Sequence, residues 1–142
     1  MIILVKVNRT FRAGTDLRDA AYRSWGCAKL LDNAPFRNQF KFLAAYCNGE
    51  IVGTFCIHGV APDLPYPGTR RKVKFLLHET DLDCDNYLKN IIDALIAGGS
   101  QRISKTVSFC YLDIPYLNQY NAINFEHQCN CSLDEIPLLP NF

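Results

Sequence analysis

The sequence has no apolar run long enough to cross a membrane as a helix, and it has almost no net charge. Its longest apolar stretches fall short of the roughly 18 residues that a membrane span needs. Lysine and arginine number 15 against 14 acidic residues, which leaves a formal charge of +1. This balance excludes a histone-like excess of positive charge and the charge bias of a disordered tail. A membrane partner is therefore not expected, and any basic site must be local.

The cysteines show neither a disulfide framework nor the spacing of metal ligands. There are seven of them, an odd number, and their spacing is irregular. His127, Cys129 and Cys131 bring three soft ligands close together, but structural zinc sites use two such groups and the sequence offers no second one. We therefore expect reduced thiols, no bound metal and a cytoplasmic location.

Catalytic signatures are also missing. The sequence contains no Gly-x-Ser-x-Gly elbow, Walker loop or dinucleotide fingerprint. His58 and His78 could serve Cys56 or Cys47 as bases, but these positions favour strand-end histidines. Residues 42–53 resemble the hairpin before the cofactor site of GNAT acetyltransferases, yet the glycine-containing turn that would hold a pyrophosphate is absent. We predict a protein without catalytic residues or a cofactor, with acetyl transfer as a minor alternative.

What is present is a succession of strand and helix patterns that predicts one α+β domain over residues 1–142. Residues 1–7 predict a strand and lack the features of a secretory leader. Thr15 is the predicted cap of a helix, and the residues expected on its buried stripe are Leu17, Ala20, Ala21 and Ser24. Residues 26–39 predict a loop or a short helical segment, because residues 32–35 have turn chemistry.

The strongest local pattern lies in residues 40–58, where two apolar runs flank Asn48 and Gly49. This dipeptide favours the positive φ angles of a type I′ turn and predicts a β-hairpin. With that turn, the predicted cross-strand pairs are Tyr46 with Ile51, Ala44 with Gly53, and Phe42 with Phe55. Both faces of the hairpin are apolar, so we expect both to be covered.

The second half of the chain predicts further turns, strands and one helix. Residues 61–69 contain three prolines and predict turns, and Val73, Phe75 and Leu77 predict a strand whose other face is basic. Asp83 or Asp85 is the expected cap of a helix ended by Gly98 and Gly99, with a core stripe listed as Leu88, Ile91, Ile92 and Leu95. Residues 106–112 predict a strand, and the chain after Pro115 predicts an extended tail over the domain.

Aromatic and cationic side chains form the candidate binding site. Arginine and lysine hold phosphates, while an aromatic ring can stack on an exposed base. The candidates are Asn8, Arg9, Arg12, Tyr22, Arg23, Trp25, Arg70, Arg71, Lys72 and Lys74. The alternative is that Trp25, the only tryptophan, packs in the core while the cations solvate the surface.

Part of this pattern resembles the PUA-like superfamily, in particular relatives of the EVE and ASCH domains. The resemblance lies in residues 8–14, in a helix carrying Tyr22 and Trp25, and in the hairpin of residues 42–55, and it covers roughly the first half of the chain. It implies a curved, mostly antiparallel, barrel-like sheet with flanking helices.

The resemblance also implies a ligand. In relatives a cleft accepts a nucleobase, often modified; here Trp25 or Tyr22 would stack, Asn8 would read a base edge, and the arginines and lysines would hold phosphate. We therefore expect noncovalent binding of a nucleotide or nucleic acid. A protein-interaction module without such a ligand is the alternative.

Overall fold

The computed structural model describes residues 1–8, 11–25, 29–63, 72–99, 109–112 and 136–138. Their strands are Ile2–Lys6 (β1), Arg23–Trp25 (β2), Phe42–Cys47 (β3), Glu50–Asp63 (β4), Lys72–Glu79 (β5) and Phe109–Leu112 (β6). Their helices are Leu17–Ala21 (α1), Lys29–Asp32 (α2), Ala34–Arg37 (α3) and Leu82–Ala97 (α4). The strands follow the order β2-β5-β4-β3-β1-β6, with β1 parallel to β3 and the other pairs antiparallel. The predicted α+β class, with a mostly antiparallel sheet and flanking helices, is confirmed.

Helices cover both faces of the central strands. Alternate residues of β1 divide between two hydrophobic clusters, with Ile3 and Val5 in one and Ile2 and Leu4 in the other. The first cluster includes Ala20 and Ala21 of α1 and Leu30 of α2, whereas the second includes Cys84, Leu88 and Ile92 of α4. The expectation that both faces of the hairpin are covered is confirmed.

The predicted hairpin is present, but its register differs from the prediction. Asn48 and Gly49 have φ angles of 49° and 89°, as a type I′ turn requires, and Tyr46 lies opposite Ile51. Beyond this pair Gly53 lies opposite Ala45, so Val52 is the extra residue of a β-bulge. The remaining predicted pairs are therefore wrong by one residue, because a bulge shifts every later pair and turns its side chains to the opposite face.

Strand β4 runs further than predicted, through Pro62 to Asp63. It pairs with β3 only as far as Cys56 and with β5 from Phe55 onward. Pro62 therefore stands where β4 has no β3 neighbour to accept an N–H, which is the position in which a strand tolerates proline. The predicted turn over residues 61–69 is wrong for residues 61–63; residues 64–69 lie outside the described part of the chain.

The first helix is shorter than predicted, because the chain after it joins the sheet. Its cap is Asp16 rather than Thr15, since the Asp16 carboxylate accepts the Arg18 N–H at 2.9 Å. The helix ends at Ala21, and Ser24 lies opposite Val73 in the β2–β5 pair. Ser24 and Trp25 are therefore strand residues and not parts of a helical stripe.

Helices α3 and α4 are each capped by the side chain of the residue directly before them. Asn33 caps α3, with Pro35 in its first turn, so the segment predicted to stop a helix ends α2 and begins another. The cap of α4 is Asp81, whose carboxylate accepts the Cys84 N–H at 2.8 Å; the prediction of Asp83 or Asp85 is wrong. The core-facing stripe of α4 and its end at Gly98 are confirmed.

The last described segments return to the sheet. Strand β6 pairs with β1, and residues 106–108 of the predicted strand lie outside the described residues. Ile136 is buried and Leu138 bridges Val60 of β4, so this part of the predicted tail does lie on the domain. No helix among the described residues is both long and apolar enough to cross a membrane.

One cysteine prediction is wrong. Cys56 is disulfide-bonded, whereas Cys47, Cys84 and Cys110 form no disulfide. A disulfide requires two cysteines within bonding distance, a condition set by tertiary structure that regular spacing in sequence cannot reveal. The argument from reduced thiols to a cytoplasmic location therefore no longer holds.

We predict that no more than five of the seven thiols titrate in denaturant without reductant, since one bridge removes two. Adding reductant should raise the number to seven and lower the free energy of unfolding by about 2–4 kcal/mol. Cys56→Ser should abolish the effect of reductant on stability, while Cys84→Ser, which removes a buried thiol that forms no disulfide, should retain it. Titration of all seven thiols before reduction would contradict the bridge.

Candidate functional site

Four of the candidate residues meet on two adjacent strands at one edge of the sheet. In the β2–β5 pair Arg23 lies opposite Lys74 and Trp25 lies opposite Lys72. Directly opposed residues in an antiparallel pair have Cα atoms about 4.5–5.5 Å apart. We call these four register positions the β2–β5 edge. The fold thus joins cationic and aromatic positions that are about fifty residues apart in sequence.

Lys74 is tied to the neighbouring strand by an ion pair. Its Nζ lies 3.4 Å from Oδ1 of Asp63, whose side chain is only 2% exposed. A buried carboxylate needs a compensating charge, so this pair anchors the end of β4 to β5. Part of the positive charge of Lys74 is therefore neutralised within the protein.

The other candidates lie elsewhere or outside the described residues. The Asn8 Oδ1 accepts the N–H of Asn48 at 3.1 Å, which places Asn8 at the hairpin turn, at the opposite end of β4 from Lys72. Tyr22 is half-buried and packs against the core, and Arg12 is exposed in the loop before α1. Arg9, Arg70 and Arg71 lie outside the described residues. The structure therefore does not bring Asn8 to the β2–β5 edge.

A cleft of about 300 Å³ opens where β5 ends beside β4. Its apolar lining comes from Leu17 of α1, Leu82 of α4 and Phe55 of β4, with Gly53 beside them. A Cβ atom at Gly53 would collide with the Leu17 side chain, so the glycine lets α1 lie directly against β4. The polar lining consists of Thr54, Glu79, Thr80 and Asp85. We call this space the β4–α4 cleft.

A chain of hydrogen bonds crosses the β4–α4 cleft. The Thr54 hydroxyl donates to Oδ1 of Asp85 at 2.7 Å and lies 2.7 Å from the Thr80 hydroxyl, which also donates to the Thr54 carbonyl at 3.2 Å. Lys89 reaches Oδ2 of Asp85 at 2.7 Å. The bulge at Val52 makes this network possible, because it places Thr54 opposite Ala44, on the face covered by α4.

Two histidines stack on neighbouring strands outside this cleft. The rings of His58 and His78 lie 3.7 Å apart at 15°. His58 is the extra residue of a second irregularity in β4 and not a strand end as predicted. Burial, and secondarily the charge of His78, lowers the pKa of His58 below its ordinary value. Cys56 lies opposite His78 but is disulfide-bonded, so it is not a thiolate nucleophile.

The described residues offer little for a metal or a pyrophosphate. Among them no group of three His, Cys, Asp or Glu side chains is close enough to hold a metal ion. The start of α4 carries Asp81, Asp83 and Asp85, whose negative charge opposes an anionic ligand at that helix terminus. The cluster of His127, Cys129 and Cys131 lies outside the described residues.

Sequence reasoning missed the β4–α4 cleft. Thr54, Thr80 and Asp85 belong to a strand, a connection and a helix, and they share no motif. The one available signal was Thr54, a polar residue within an apolar strand, since buried hydroxyls need hydrogen-bond partners.

Variants of Asn8 test its structural role. Asn8→Ala removes the acceptor of the Asn48 N–H and should lower the free energy of unfolding by about 1 kcal/mol in urea denaturation. Asn8→Asp keeps an acceptor oxygen and should lower it by less. Equal losses in the two variants would show that this hydrogen bond is not what Asn8 contributes.

Protonation of His58 should make the folded protein less stable as the pH is lowered. A histidine whose pKa is lower in the folded than in the unfolded state takes up its proton more readily when unfolded. Its contribution is therefore fully present above the ordinary value of 6.5 and is lost as the pH falls below it. We expect His58→Gln to flatten the dependence of unfolding free energy on pH between about 7.5 and 5.5. His78→Gln should make this pH dependence smaller without removing it. An unchanged pH dependence in both variants would contradict the assignment to His58.

Comparisons with protein-family models, with curated proteins and with solved structures found no match to this chain. Its function must therefore be argued from its own residues and their geometry.

Proposed function

We propose that this chain binds a nucleotide or nucleic acid noncovalently, with the β2–β5 edge as part of the contact surface. The observation that carries the proposal is the register of Trp25 opposite Lys72 and of Arg23 opposite Lys74. Stacking on bases and contact with phosphates are complementary, and surfaces that bind a single nucleic-acid strand commonly combine the two. The β2–β5 edge combines residue types suited to each.

Arg23 and Trp25 lie on the edge strand β2, and Lys72 and Lys74 lie on the strand next to it, an arrangement that favours an extended ligand. Strand β2 is the last strand on its side of the described sheet, so a chain running beside it meets no further described strand. Residues Lys72 and Lys74 are half-buried and alternate with the buried Val73 and Phe75. The strand therefore holds its basic row on the face opposite the one that packs in the core.

The PUA-like assignment belongs to the same proposal. The described strands follow an open order with β2 and β6 at its edges, and a barrel-like arrangement would need these edges to approach each other by curvature. Curvature of this kind is promoted by bulges such as those in β4 at Val52 and His58. The expected cytoplasmic location is not carried into this proposal, because the disulfide of Cys56 removes the thiol argument on which it rested.

Binding of labelled oligonucleotides, measured by fluorescence anisotropy over a series of salt concentrations, tests the proposal. Lys72→Ala should weaken binding and reduce the slope of log K against log salt by about 0.7 for a single strand or 0.9 for a duplex, because one phosphate contact is lost. Trp25→Ala should weaken binding by about 1–3 kcal/mol with the slope unchanged, because stacking releases no counterions. The two variants thus separate phosphate contact from stacking.

Lys6→Ala provides the matched control, since Lys6 is also a half-buried strand lysine but lies on β1, three strands away from β5. It should leave both affinity and slope unchanged. Lys74 is unsuitable for the comparison, because its loss would leave the buried Asp63 carboxylate without this ion pair. No binding at low salt to single-stranded, duplex or modified-base ligands would overturn the proposal and favour a protein partner.

A further inference from the structure

The donors of the β4–α4 cleft are already used within the protein. The Thr54 hydroxyl has one hydrogen, and it is donated to Asp85. In the contact between the two hydroxyls Thr80 must therefore be the donor, and its hydrogen is shared with the Thr54 carbonyl. The lone pairs of Thr80 and of the carboxylates remain. The side chains on the polar side of the cleft consequently present hydrogen-bond acceptors.

The cleft carries negative charge, which favours the same kind of ligand as its hydrogen-bond acceptors do. Asp85 and Glu79 contribute two carboxylates, and Lys89 compensates one of them through its contact with Asp85. Glu79 is exposed at the rim, and the described residues that line the cleft include no lysine or arginine. A cation that donates hydrogen bonds complements this surface, whereas an anion is opposed by it.

The remaining walls of the cleft are apolar; Leu17 is half-buried, whereas Leu82 is 73% exposed. Leu17 and Leu82 face the cleft from two helices that pack on opposite faces of the sheet, and direct contact of Leu17 with Gly53 sets how closely α1 approaches β4. A volume of about 300 Å³ lies at the lower end of the range for small-molecule sites. The cleft therefore offers a partly open apolar surface with acceptors along one side.

We propose that the β4–α4 cleft binds a small molecule with a primary ammonium group on a short apolar body. The ammonium donates to the carboxylate of Asp85 and to the hydroxyl oxygen of Thr80, with Glu79 at the rim, while the apolar body lies between Leu17 and Leu82. The eight residues of β5 separate this site from Lys72 by roughly 23 Å. It is thus a second site, independent of the proposed nucleic-acid surface.

Amide chemical shifts of the ¹⁵N-labelled protein, titrated with benzylamine, test the proposal. Benzylamine carries an ammonium on an apolar ring at neutral pH, and it should shift the amides of Gly53, Thr80 and Asp85 in a saturable manner. Benzyl alcohol has nearly the same shape without the charge, and its affinity should be lower by at least about tenfold. Benzoate, of opposite charge, should cause no shifts at these amides.

Four variants, of which Asp83→Asn is the control, connect the shifts to the proposed contacts. Asp85→Asn should weaken benzylamine binding about tenfold to a hundredfold, whereas Asp83→Asn, which removes the same charge from an exposed position in the same helical turn, should not. Glu79→Gln tests the exposed rim and leaves the internal hydrogen bonds intact. Gly53→Ala displaces Leu17 and should weaken benzylamine and benzyl alcohol equally, because it alters the apolar wall and not the charge.

Several results would overturn the proposal. These are the absence of shifts at the cleft amides up to roughly 10 mM benzylamine, preferential binding of benzoate or inorganic phosphate, and equal effects of Asp85→Asn and Asp83→Asn. Should Asp85→Asn unfold the domain, Glu79→Gln decides the role of charge, and unchanged affinity in that variant counts against the proposal. Loss of oligonucleotide binding alone would leave these results unaffected, because the two sites share no residue.

Discussion

Strand β4 changes its hydrogen-bonding partner along its length, and the arrangement of the other elements depends on this change. It pairs with β3 up to Cys56 and with β5 from Phe55, so the two neighbours overlap at only two residues. Each neighbour ends where the other takes over. Because backbone groups in a sheet need partners, other parts of the chain take the place of β3 beside the stretch of β4 that follows Cys56. Residues 41 and 137 fill this role at Ile57 and Val60.

The same change of partner separates two chemically different regions. Where β5 ends, β4 borders an acceptor-rich cleft with apolar walls. Where β5 begins, Lys72 and Lys74 lie opposite β2, whose Arg23 and Trp25 add positions of cationic and aromatic type. An almost neutral protein can therefore present acidic and basic surfaces at the two ends of one strand. Overall charge reveals neither, since positive and negative residues nearly cancel over the whole sequence.

Bulges in β4 determine which face of the sheet its polar side chains occupy. At Val52 one additional residue turns Thr54 toward α4, which brings its hydroxyl to Asp85. At His58 a second irregularity accompanies a stacked pair of imidazoles. In each case a single inserted residue changes which face the following side chains occupy, because side chains in a strand alternate with a period of two. Local backbone geometry thus has consequences several residues away.

The sequence by itself determined the elements whose signals are local. Asn48 and Gly49 specified the hairpin turn through their tolerance of positive φ, and the apolar character of both hairpin faces indicated a central position in the sheet. The apolar spacing of Leu88 and Ile92 likewise indicated which face of α4 is buried. These features depend on residues close together in the chain, so their physical causes can be read directly.

Tertiary structure alone decided the features that join distant segments. The bulge at Val52, the pairing of Trp25 with Lys72, the disulfide of Cys56 and the contact between Thr54 and Asp85 depend on which strands lie side by side. Sequence patterns predicted a helix through Trp25, but pairing with β5 drew these residues into the sheet. The reason is that hydrogen bonds and burial across a sheet outweigh the weak local preferences of three or four residues.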